Sequence, residues 1–368
     1  MVNLTVMKFE TILKHHSLQL PLTQLPKQDF KQYITKKLRQ FLSLVEELEN
    51  ENLVLEGRRV NTLFIKTTQG IIVNGLIKSI EKYYDGFPSK AYSTLCRTLR
   101  NEIKDLREVL NFRKYQPQEN FYRLRISKSN FPFTPLEMFH IPFELRGKVS
   151  SQRFSIPGFP SLYLGRTLYV CWEELSRPSL DEFQCLRLNL QKEISFLDLS
   201  PPPPHKLKLD WDSYKYFMTW PLIACCSVKS KNQNDIFKPE YIIPQLLLQW
   251  VRDTNEVEGI GYKSTHIPIE LYNSEGELTN LVLPVKTSKV KGHCHVLKSL
   301  FKTSSVLSWQ LYQYAMGGQF FIHSERDFEG TNKKLPKIEL INGIKYPYGY
   351  STLGKLEHYL DKIKTYKI

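Results

Sequence analysis

Six residues in the middle of the 368-residue chain have side chains and spacings that could carry chemistry. The first two, Arg123 and Arg125, alternate along the run Phe121–Arg125, whose period of two is typical of a strand. Both guanidinium groups therefore share one face, and their planar forks suit bidentate contact with phosphate. An exposed strand with arginines on its solvent side has the same pattern, so this segment alone does not decide between the two interpretations.

The next three residues belong to a loop, a short apolar strand and a helix. Arg153 opens a loop broken by proline and glycine, and the strand Leu162-Tyr163-Leu164 follows it. Glu174 lies in a predicted helix from Thr167 to Ser176, away from the apolar stripe of that helix. Taken alone, a carboxylate in such a place is most often a solvated helix residue.

The sixth residue is Ser264, in the segment Gly259–Thr265, which reads as a turn that enters a buried strand. No Gly-x-Ser-x-Gly turn surrounds it, and no histidine and aspartate stand at suggestive positions, so a serine hydrolase triad has little support. The run His293-Cys294-His295 lacks a second pair at zinc-site spacing, and we expect no metal.

The elements that precede these residues are helical. Apolar residues recur at steps of three and four over Pro26–Asn50, Gly70–Tyr84 and Ser89–Leu110. These patterns predict an all-helical N-terminal domain over residues 1–115, which could be a lid, a scaffold or a dimerisation unit.

After Gln116 the pattern changes to short β-type runs, and the fold class that this predicts is α+β. We predict a central domain over residues 116–300 and a C-terminal extension over 301–368 that packs on it. The predicted strands are Phe121–Ile126, Leu162–Leu164, Cys185–Leu190 and Ile194–Leu199, and further helices are predicted at Tyr214–Val228 and Glu240–Thr254.

The composition limits the classes of protein to which the chain could belong. The chain has 41% hydrophobic residues, 12% aromatic residues and six cysteines, and no window of about 18 apolar residues or signal-peptide pattern is present. We therefore expect a soluble, cytoplasmic protein with no membrane contact. The net charge of +14 could favour nucleic acid, but no run of five or six basic residues occurs, so nucleic-acid binding is not our expectation.

Three separated blocks of the sequence together resemble the RES domain family, named for its Arg, Glu and Ser. The blocks are Arg153-Phe154 followed by Gly158, the Leu-Tyr-Leu strand with Glu174 eleven residues after Tyr163, and Gly259-Ile260-Gly261-Tyr262-Lys263-Ser264. The resemblance covers about residues 118–290. The chain departs from it at Ser151 and Gln152, where many members have two glycines.

The resemblance implies an ADP-ribosyltransferase-like domain that cleaves the nicotinamide glycosidic bond of NAD by hydrolysis or phosphorolysis. Arg153, Glu174 and Ser264 would be its catalytic residues: Glu174 would stabilise positive charge on the ribose, and Ser264 would position the substrate. Arg123 and Arg125 would join Arg153 in holding the pyrophosphate, and Tyr163 would cover the nicotinamide or ribose. NAD would be a substrate, with no metal required.

Such enzymes act as toxins or defence effectors, so the resemblance also implies a neutralising antitoxin protein, and the helical domain could support a homodimer. Two alternatives stay open. The same pocket could transfer ADP-ribose to a protein, or the chain could be a non-enzymatic, basic nucleic-acid-binding protein.

Overall fold

The computed structural model divides the chain into two compact units. The first unit comprises Met1–Arg113, Gln152–Phe154 and Leu197–Asn255, and the second comprises Lys114–Ser151, Ser155–Phe196 and Glu256–Ile368. The residues that the structure describes are 6–25, 27–103, 105–127, 129, 131–232, 235–316, 328–335, 337–341 and 343–368.

Helices and strands are both found in the N-terminal, central and C-terminal parts of the chain. The α-helices are α1 (Phe9–Leu13), α2 (Phe30–Glu46), α3 (Thr62–Tyr84), α4 (Pro88–Arg97), α5 (Leu106–Val109), α6 (Leu168–Glu174), α7 (Trp211–Cys226), α8 (Ile242–Asp253), α9 (Ile269–Tyr272), α10 (His295–Leu300), α11 (Trp309–Met316), α12 (Glu329–Lys334) and α13 (Thr352–Lys362). The strands are β1 (Asn52–Leu55), β2 (Arg58–Asn61), β3 (Phe112–Tyr115), β4 (Asn120–Ile126), β5 (Ser161–Gly165), β6 (Phe183–Leu190), β7 (Ile194–Leu199), β8 (Gly259–Lys263), β9 (Thr279–Pro284), β10 (Phe301–Thr303), β11 (Leu307–Ser308), β12 (Lys337–Ile341), β13 (Ile344–Pro347) and β14 (Tyr366–Lys367).

The first unit is mainly helical, and two predicted helices are confirmed with shifted bounds as α2 and α3. The helix predicted over Ser89–Leu110 is wrong as a single helix, because it is divided into α4, a π-helical segment Thr98–Glu102 and the short α5. The helix predicted over 26–50 is α2, which begins after Asp29 because that carboxylate accepts a hydrogen bond from the Gln32 N–H at 2.9 Å. The apolar stripe of α2 is buried, as its period requires. Phe41 of this stripe stacks on Trp220 with ring centroids 4.6 Å apart.

The prediction of an all-helical N-terminal domain is wrong, because β1 and β2 form an antiparallel hairpin. Its turn residues, Glu56 and Gly57, have φ of 50° and 82°. Two successive positive φ values match the twist of a two-residue hairpin. The strands have only four residues each and lie between long helical patterns, so their short alternation carries little signal.

Helices α7 and α8 belong to the first unit, whereas the sequence placed them in the domain 116–300. One of the contacts that bind α7 to this unit lies at Pro221: proline lacks an N–H, so the carbonyl of Phe217 loses its helical donor. The buried Gln69 amide in α3 donates to the Phe217 and Met218 carbonyls at 3.1 Å. This side chain ties α7 to α3 in place of the missing bond.

The second unit is built on a large sheet. Among the described residues its strand order is β14-β10-β6-β4-β5-β9-β8-β7-β3, with β11 also paired to β6. The central pairs β6–β4, β4–β5, β5–β9 and β9–β8 are antiparallel. The four predicted strands are all present, and the mixture of helices with an antiparallel sheet agrees with the predicted α+β class.

The register separates two faces of this sheet. Directly paired residues share a face. One face, here called the apolar face, carries Phe121, Leu162, Leu164, Leu281 and Leu283 of the hydrophobic core. The other, here called the helix face, carries the cross-strand row Tyr122, Gly165, Asn280 and Tyr262, one residue from each of four neighbouring strands.

The C-terminal segment 301–368 completes the sheet as well as covering it. Strand β10 pairs with β6, and β14 pairs with β10. Helix α13 lies against α6, and its apolar residues Leu353, Leu356 and Leu360 are buried. The segment is therefore an integral part of the second unit.

A buried ionic network joins α12, α13 and β4. The Lys334 ammonium donates to Tyr122 Oη at 2.6 Å, to Glu357 Oε1 at 3.1 Å and to Asp361 Oδ2 at 3.0 Å. Burial lowers the pKa of Lys334, but the two carboxylates outweigh burial, so that pKa is raised. Burial raises the pKa of Glu357, which is fully buried, and Lys334 opposes that rise.

We predict that Lys334→Met destabilises the fold by about 3–5 kcal/mol, because two carboxylates are left without their cation. The adjacent Lys333 is the matched control: its side chain is 74% exposed, and among the described residues it pairs with the exposed Glu329. Lys333→Met should change the free energy of unfolding by less than about 0.5 kcal/mol. Denaturant titration of both variants is the measurement, and similar midpoints for the two would contradict the prediction.

A buried histidine gives the second unit a dependence on pH. His140 is 1% exposed, its Nδ1 lies 2.8 Å from the Ile141 carbonyl, and its Nε2 accepts the Cys294 N–H at 2.8 Å. Both ring nitrogens are thus used by the neutral ring, with the proton on Nδ1. The pKa of His140 is lowered to about 4, mainly by burial; the hydrogen bond to Ile141 opposes this lowering, and the charges of His293 and Arg123 add to it.

The sign of this effect follows from proton linkage. The unfolded chain, with a pKa of 6.5, binds the proton more tightly than the folded chain, so the stability is present above pH 6.5 and is lost as the pH falls towards 4. Between pH 7 and pH 5 we expect a loss of about 2 kcal/mol. Denaturant titrations should show this loss in the wild type and in a variant of the exposed His295, His295→Gln, but not in His140→Gln. A loss of equal size in His140→Gln would refute the assignment.

None of the helices in the described ranges is long and apolar enough to cross a membrane.

Candidate functional site

Helix α6 positions the carboxylate that the sequence singles out. The predicted helix is confirmed as Leu168–Glu174, and its N-cap is Thr167, whose hydroxyl accepts the Val170 N–H at 3.3 Å. Glu357 Oε2 accepts the Leu168 N–H at 2.8 Å, so a buried carboxylate also satisfies the start of the helix. The start of α6 is therefore tied to the ionic network.

Close packing on Gly165 sets the height of α6 above the sheet. An added Cβ at Gly165 would lie 2.5 Å from Cys171 Sγ and 3.0 Å from the Thr167 carbonyl. The absence of a side chain at this point of the helix face lets α6 approach the sheet. Glu174, three residues beyond Cys171, is thereby brought over the neighbouring strands.

Glu174 is held by two neutral donors from those strands. Its Oε1 accepts the Tyr262 hydroxyl at 3.3 Å, and its Oε2 accepts the Asn280 Nδ2 at 3.1 Å. Tyr262 and Asn280 are direct cross-strand partners of β8 and β9, and both are buried. Each carboxylate oxygen of the half-buried Glu174 thus accepts a hydrogen bond from a different strand, and the two bonds fix the orientation of the carboxylate.

The neighbouring acidic residue, Glu173, has a different setting. It is 2% exposed and forms a bidentate pair with Arg177, with both N···O distances 2.9 Å. This pair closes a strained turn, since Ser176 and Arg177 have φ of 62° and 59°. Left-handed backbone at residues other than glycine persists where surrounding contacts hold it, and it clusters at functional sites.

Arg177 also lines a cavity of about 620 Å³, which lies in the size range of small-molecule sites. Apolar residues and charged residues of both signs share its wall, with Arg177, Lys337 and Lys345 as the cations. The other lining residues are Pro268, Glu270, Leu271, Ser274, Glu275, Ile338, Glu339 and Leu340. Glu174 is not one of the residues that line it.

Tyr163 lies on the strand β5, and Ser264 directly follows the strand β8, whose Tyr262 binds this carboxylate. Tyr163 pairs with Val282 on β9, which places its side chain on the helix face, two residues along from the row that contains Asn280. Ser264 follows β8, two residues after Tyr262, and it is 1% exposed. Strand β8 ends at Lys263, so the prediction that Ser264 lies inside the strand is wrong by one residue. The Ser264 Oγ accepts the His266 N–H at 3.1 Å.

Arg123 and Arg125 share one face of β4, as the alternation predicts, but that face is the apolar face. The structure therefore does not bring them to Glu174. Arg123 Nη1 donates to the Tyr163 carbonyl at 2.7 Å, and burial lowers the pKa of Arg123 to about 10. Arg125 is exposed, donates to the Glu137 carbonyl and lies 4.6 Å from the Phe133 ring centroid.

Arg153 belongs to the first unit. Its Nη1 donates to the Cys226 carbonyl at the end of α7 at 3.0 Å, and its guanidinium lies 5.2 Å from the Tyr241 ring centroid. This carbonyl is one of the acceptors left open at a helix C-terminus, where a cation is favourable. The structure gives Arg153 a contact that caps α7.

Sequence reasoning missed Asn280 and the part played by Tyr262. Tyr262 is part of the Gly-Ile-x-Tyr block, but the sequence does not show that its hydroxyl binds Glu174. Asn280 is a polar residue within an apolar strand, where it is 4% exposed. A buried amide needs a hydrogen-bond partner, and that requirement is the signal which could have found it.

The described residues contain no group of three histidine, cysteine or acidic side chains that could hold a metal ion.

The fold and this cluster define an α+β protein with a fixed, half-buried carboxylate above an antiparallel sheet. The chain is 37% identical over 310 residues to a Bacillus subtilis (strain 168) protein named "Putative toxin YopC", a match that spans 79% of this chain and 68% of that protein. The chain therefore belongs to the family of that Bacillus protein. No family model matches the chain, and no solved structure matches it.

We predict that Gly165→Ala destabilises the second unit by about 1–3 kcal/mol, because the added methyl group overlaps Cys171 Sγ and the backbone of α6. Gly330→Ala in α12 is the matched control, since an added Cβ meets nothing within 4 Å there. That control should leave the stability unchanged or raise it by up to about 1 kcal/mol. Denaturant titration measures both, and a Gly165→Ala protein as stable as the wild type would show that α6 does not depend on this contact.

Proposed function

We propose that the chain is a toxin that cleaves the nicotinamide glycosidic bond of NAD with Glu174 as its central carboxylate. The observation that carries this proposal is the setting of Glu174. Glu357 is neutralised by Lys334 and Glu173 by Arg177, whereas the contacts that the structure describes for Glu174 are with the neutral donors Tyr262 and Asn280. Its negative charge is therefore fixed in place and is not cancelled by an ion pair among the described residues.

Such a carboxylate suits a reaction that builds positive charge. When the bond between ribose and nicotinamide breaks, the ribose acquires oxocarbenium character and the base leaves as a neutral molecule. A fixed negative charge beside the ribose stabilises that transition state without reorganisation. Glu174 could also accept a hydrogen bond from a ribose hydroxyl or orient the attacking water or phosphate.

Two further residues of the predicted site support the same proposal. Tyr163 lies on the helix face with Asn280 and Tyr262 and offers a ring to cover the nicotinamide. Ser264 follows Tyr262 closely and offers a hydroxyl that would hold an amide or ribose oxygen. Arg123 and Arg125 lie on the apolar face of the sheet, so this proposal assigns them no contact with the pyrophosphate.

The toxic role rests on the family relationship. The name of the Bacillus protein describes a toxin, and depletion of NAD would be a direct route to toxicity. A neutralising antitoxin protein and a homodimer stay predictions of the same proposal.

We predict that purified wild-type protein releases nicotinamide from NAD and that Glu174→Gln lowers the rate by about a hundredfold or more. Glutamine keeps the size of the side chain and its contacts, so the change removes mainly the charge. Asp181→Asn, an exposed residue of the same unit, is the matched control and should retain the wild-type rate. The measurement is chromatography of released nicotinamide, with and without phosphate.

The mass of the second product identifies the acceptor. ADP-ribose indicates hydrolysis, its 1″-phosphate indicates phosphorolysis, and a mass increase on a protein indicates ADP-ribosyl transfer. If folded wild-type protein releases no nicotinamide under any of these conditions, including addition of a cell extract as a source of acceptor, NAD is not the substrate. If Glu174→Gln retains the wild-type rate, the assignment of Glu174 is wrong.

A further inference from the structure

A polar groove runs along α2 in the first unit. The residues of the proposed active site belong to the second unit and lie more than a hundred positions later in the sequence. Two cavities, of about 650 and 270 Å³, adjoin because Thr23, Tyr33, Lys37 and Gln40 line both. Residues between His15 and Thr23 form one wall, and residues of α2 from Tyr33 to Leu44 form the other. The groove is thus assembled from two segments of the N-terminal sequence.

The wall formed by 15–23 is held in place from behind. The Trp220 indole N–H donates to the Leu18 carbonyl at 3.0 Å, and the Lys229 N–H donates to the Leu22 carbonyl at 2.9 Å. The Tyr33 hydroxyl donates to the Thr23 carbonyl at 3.0 Å across the groove. Three hydrogen bonds fix this irregular segment, so the groove exists before any ligand binds.

The charge of the groove is positive at its centre. Lys36 and Lys37 line it on consecutive positions of α2, and neither forms an ion pair with any residue that the structure describes. Glu47 is the one carboxylate among the described lining residues, and it follows the end of α2. An anionic ligand would therefore find two ammonium groups whose charge is not already neutralised.

Flat side chains accompany these cations. The rings of His15 and His16 lie close together with centroids 4.3 Å apart and planes tilted by 38°, and His16 is exposed. His15 Nδ1 accepts the Ser17 N–H at 3.3 Å, which leaves the proton of the neutral ring on Nε2 as a donor. Tyr33 presents a half-buried ring where the two cavities meet.

We propose that this groove binds single-stranded nucleic acid, with Lys36 and Lys37 on the phosphates and with His16 and Tyr33 as stacking surfaces for bases. Unpaired ammonium groups next to exposed rings are the combination that single-stranded nucleic acid requires. An acidic peptide would use the lysines but not the rings, so the observations favour nucleic acid. The inference is independent of the proposed reaction at Glu174.

The experiment is fluorescence anisotropy of a labelled single-stranded oligonucleotide with the full chain. The double variant Lys36→Glu/Lys37→Glu should weaken binding at least tenfold and lower the slope of log affinity against log salt by about 1.4. The matched control is Lys78→Glu/Lys90→Glu, which changes the net charge equally at exposed positions of α3 and α4 outside the groove. It should retain most of the affinity.

A second variant tests the stacking surface without a change of fixed charge. His16→Ala replaces an exposed side chain, so the fold should be kept, and it should weaken binding severalfold. All variants should release nicotinamide at the wild-type rate, if that activity is found, since the groove contains none of the residues assigned to it.

Three outcomes would overturn the proposal. The first is no binding by the wild type in low salt. The second is an equal loss in the groove variant and the control, which would mean binding to overall charge. The third is displacement of the oligonucleotide by a poly-glutamate peptide of equal charge as readily as by unlabelled oligonucleotide, which would identify the groove as a site for acidic peptides.

Discussion

The second unit depends on one ionic network, in which the single cation Lys334 pairs with the buried Glu357 and with the partly exposed Asp361. Charges are costly to bury, and such a network is tolerable only when each lone pair and proton has a partner. Here the remaining positions are filled by Tyr122 of β4, Tyr348 and the first N–H of α6. Sheet, helix α13 and helix α6 are therefore fixed by the same few atoms.

The network and the candidate site share one row of the sheet. Tyr122 binds Lys334 and Asp361, while Asn280 and Tyr262 bind Glu174, and Gly165 stands between the two ends of the row. Helix α6 crosses over that glycine because no side chain occupies the space. The network therefore holds the start of the helix whose last residue is Glu174.

Much of the local structure could be predicted from the sequence, because it depends on near neighbours. The cap at Thr167, the helix that carries Glu174 and the alternation of Arg123 with Arg125 are all properties of short segments. The alternation shows that the two arginines share a face but not which face the core occupies, and here the core takes theirs. Asn280 became a neighbour of Glu174 only through the pairing of β9 with β5 and β8, which no local pattern specifies.

Contacts between distant segments also explain why the sequence did not predict two features of the first unit. A search for runs of basic residues finds no polyanion site in the sequence. The fold nevertheless brings Lys36 and Lys37 into one groove with His15 and His16, which belong to a separate segment. Helix α7 is bound to α3 by Gln69, which donates to the carbonyls of Phe217 and Met218 beside Pro221. Both results come from long-range contacts that a pattern along the chain cannot contain.

Helix α6 is restrained at both ends, and this has a chemical consequence for Glu174. Its start is fixed by Thr167 and Glu357, and its end is fixed by the pair of Glu173 with Arg177 across a left-handed turn. Electrostatic stabilisation of a transition state is effective when the charge is already in place and no reorganisation is needed. The strained turn after Glu174 therefore helps to hold this carboxylate in place at the end of α6, while the neighbouring Glu173 is paired with Arg177.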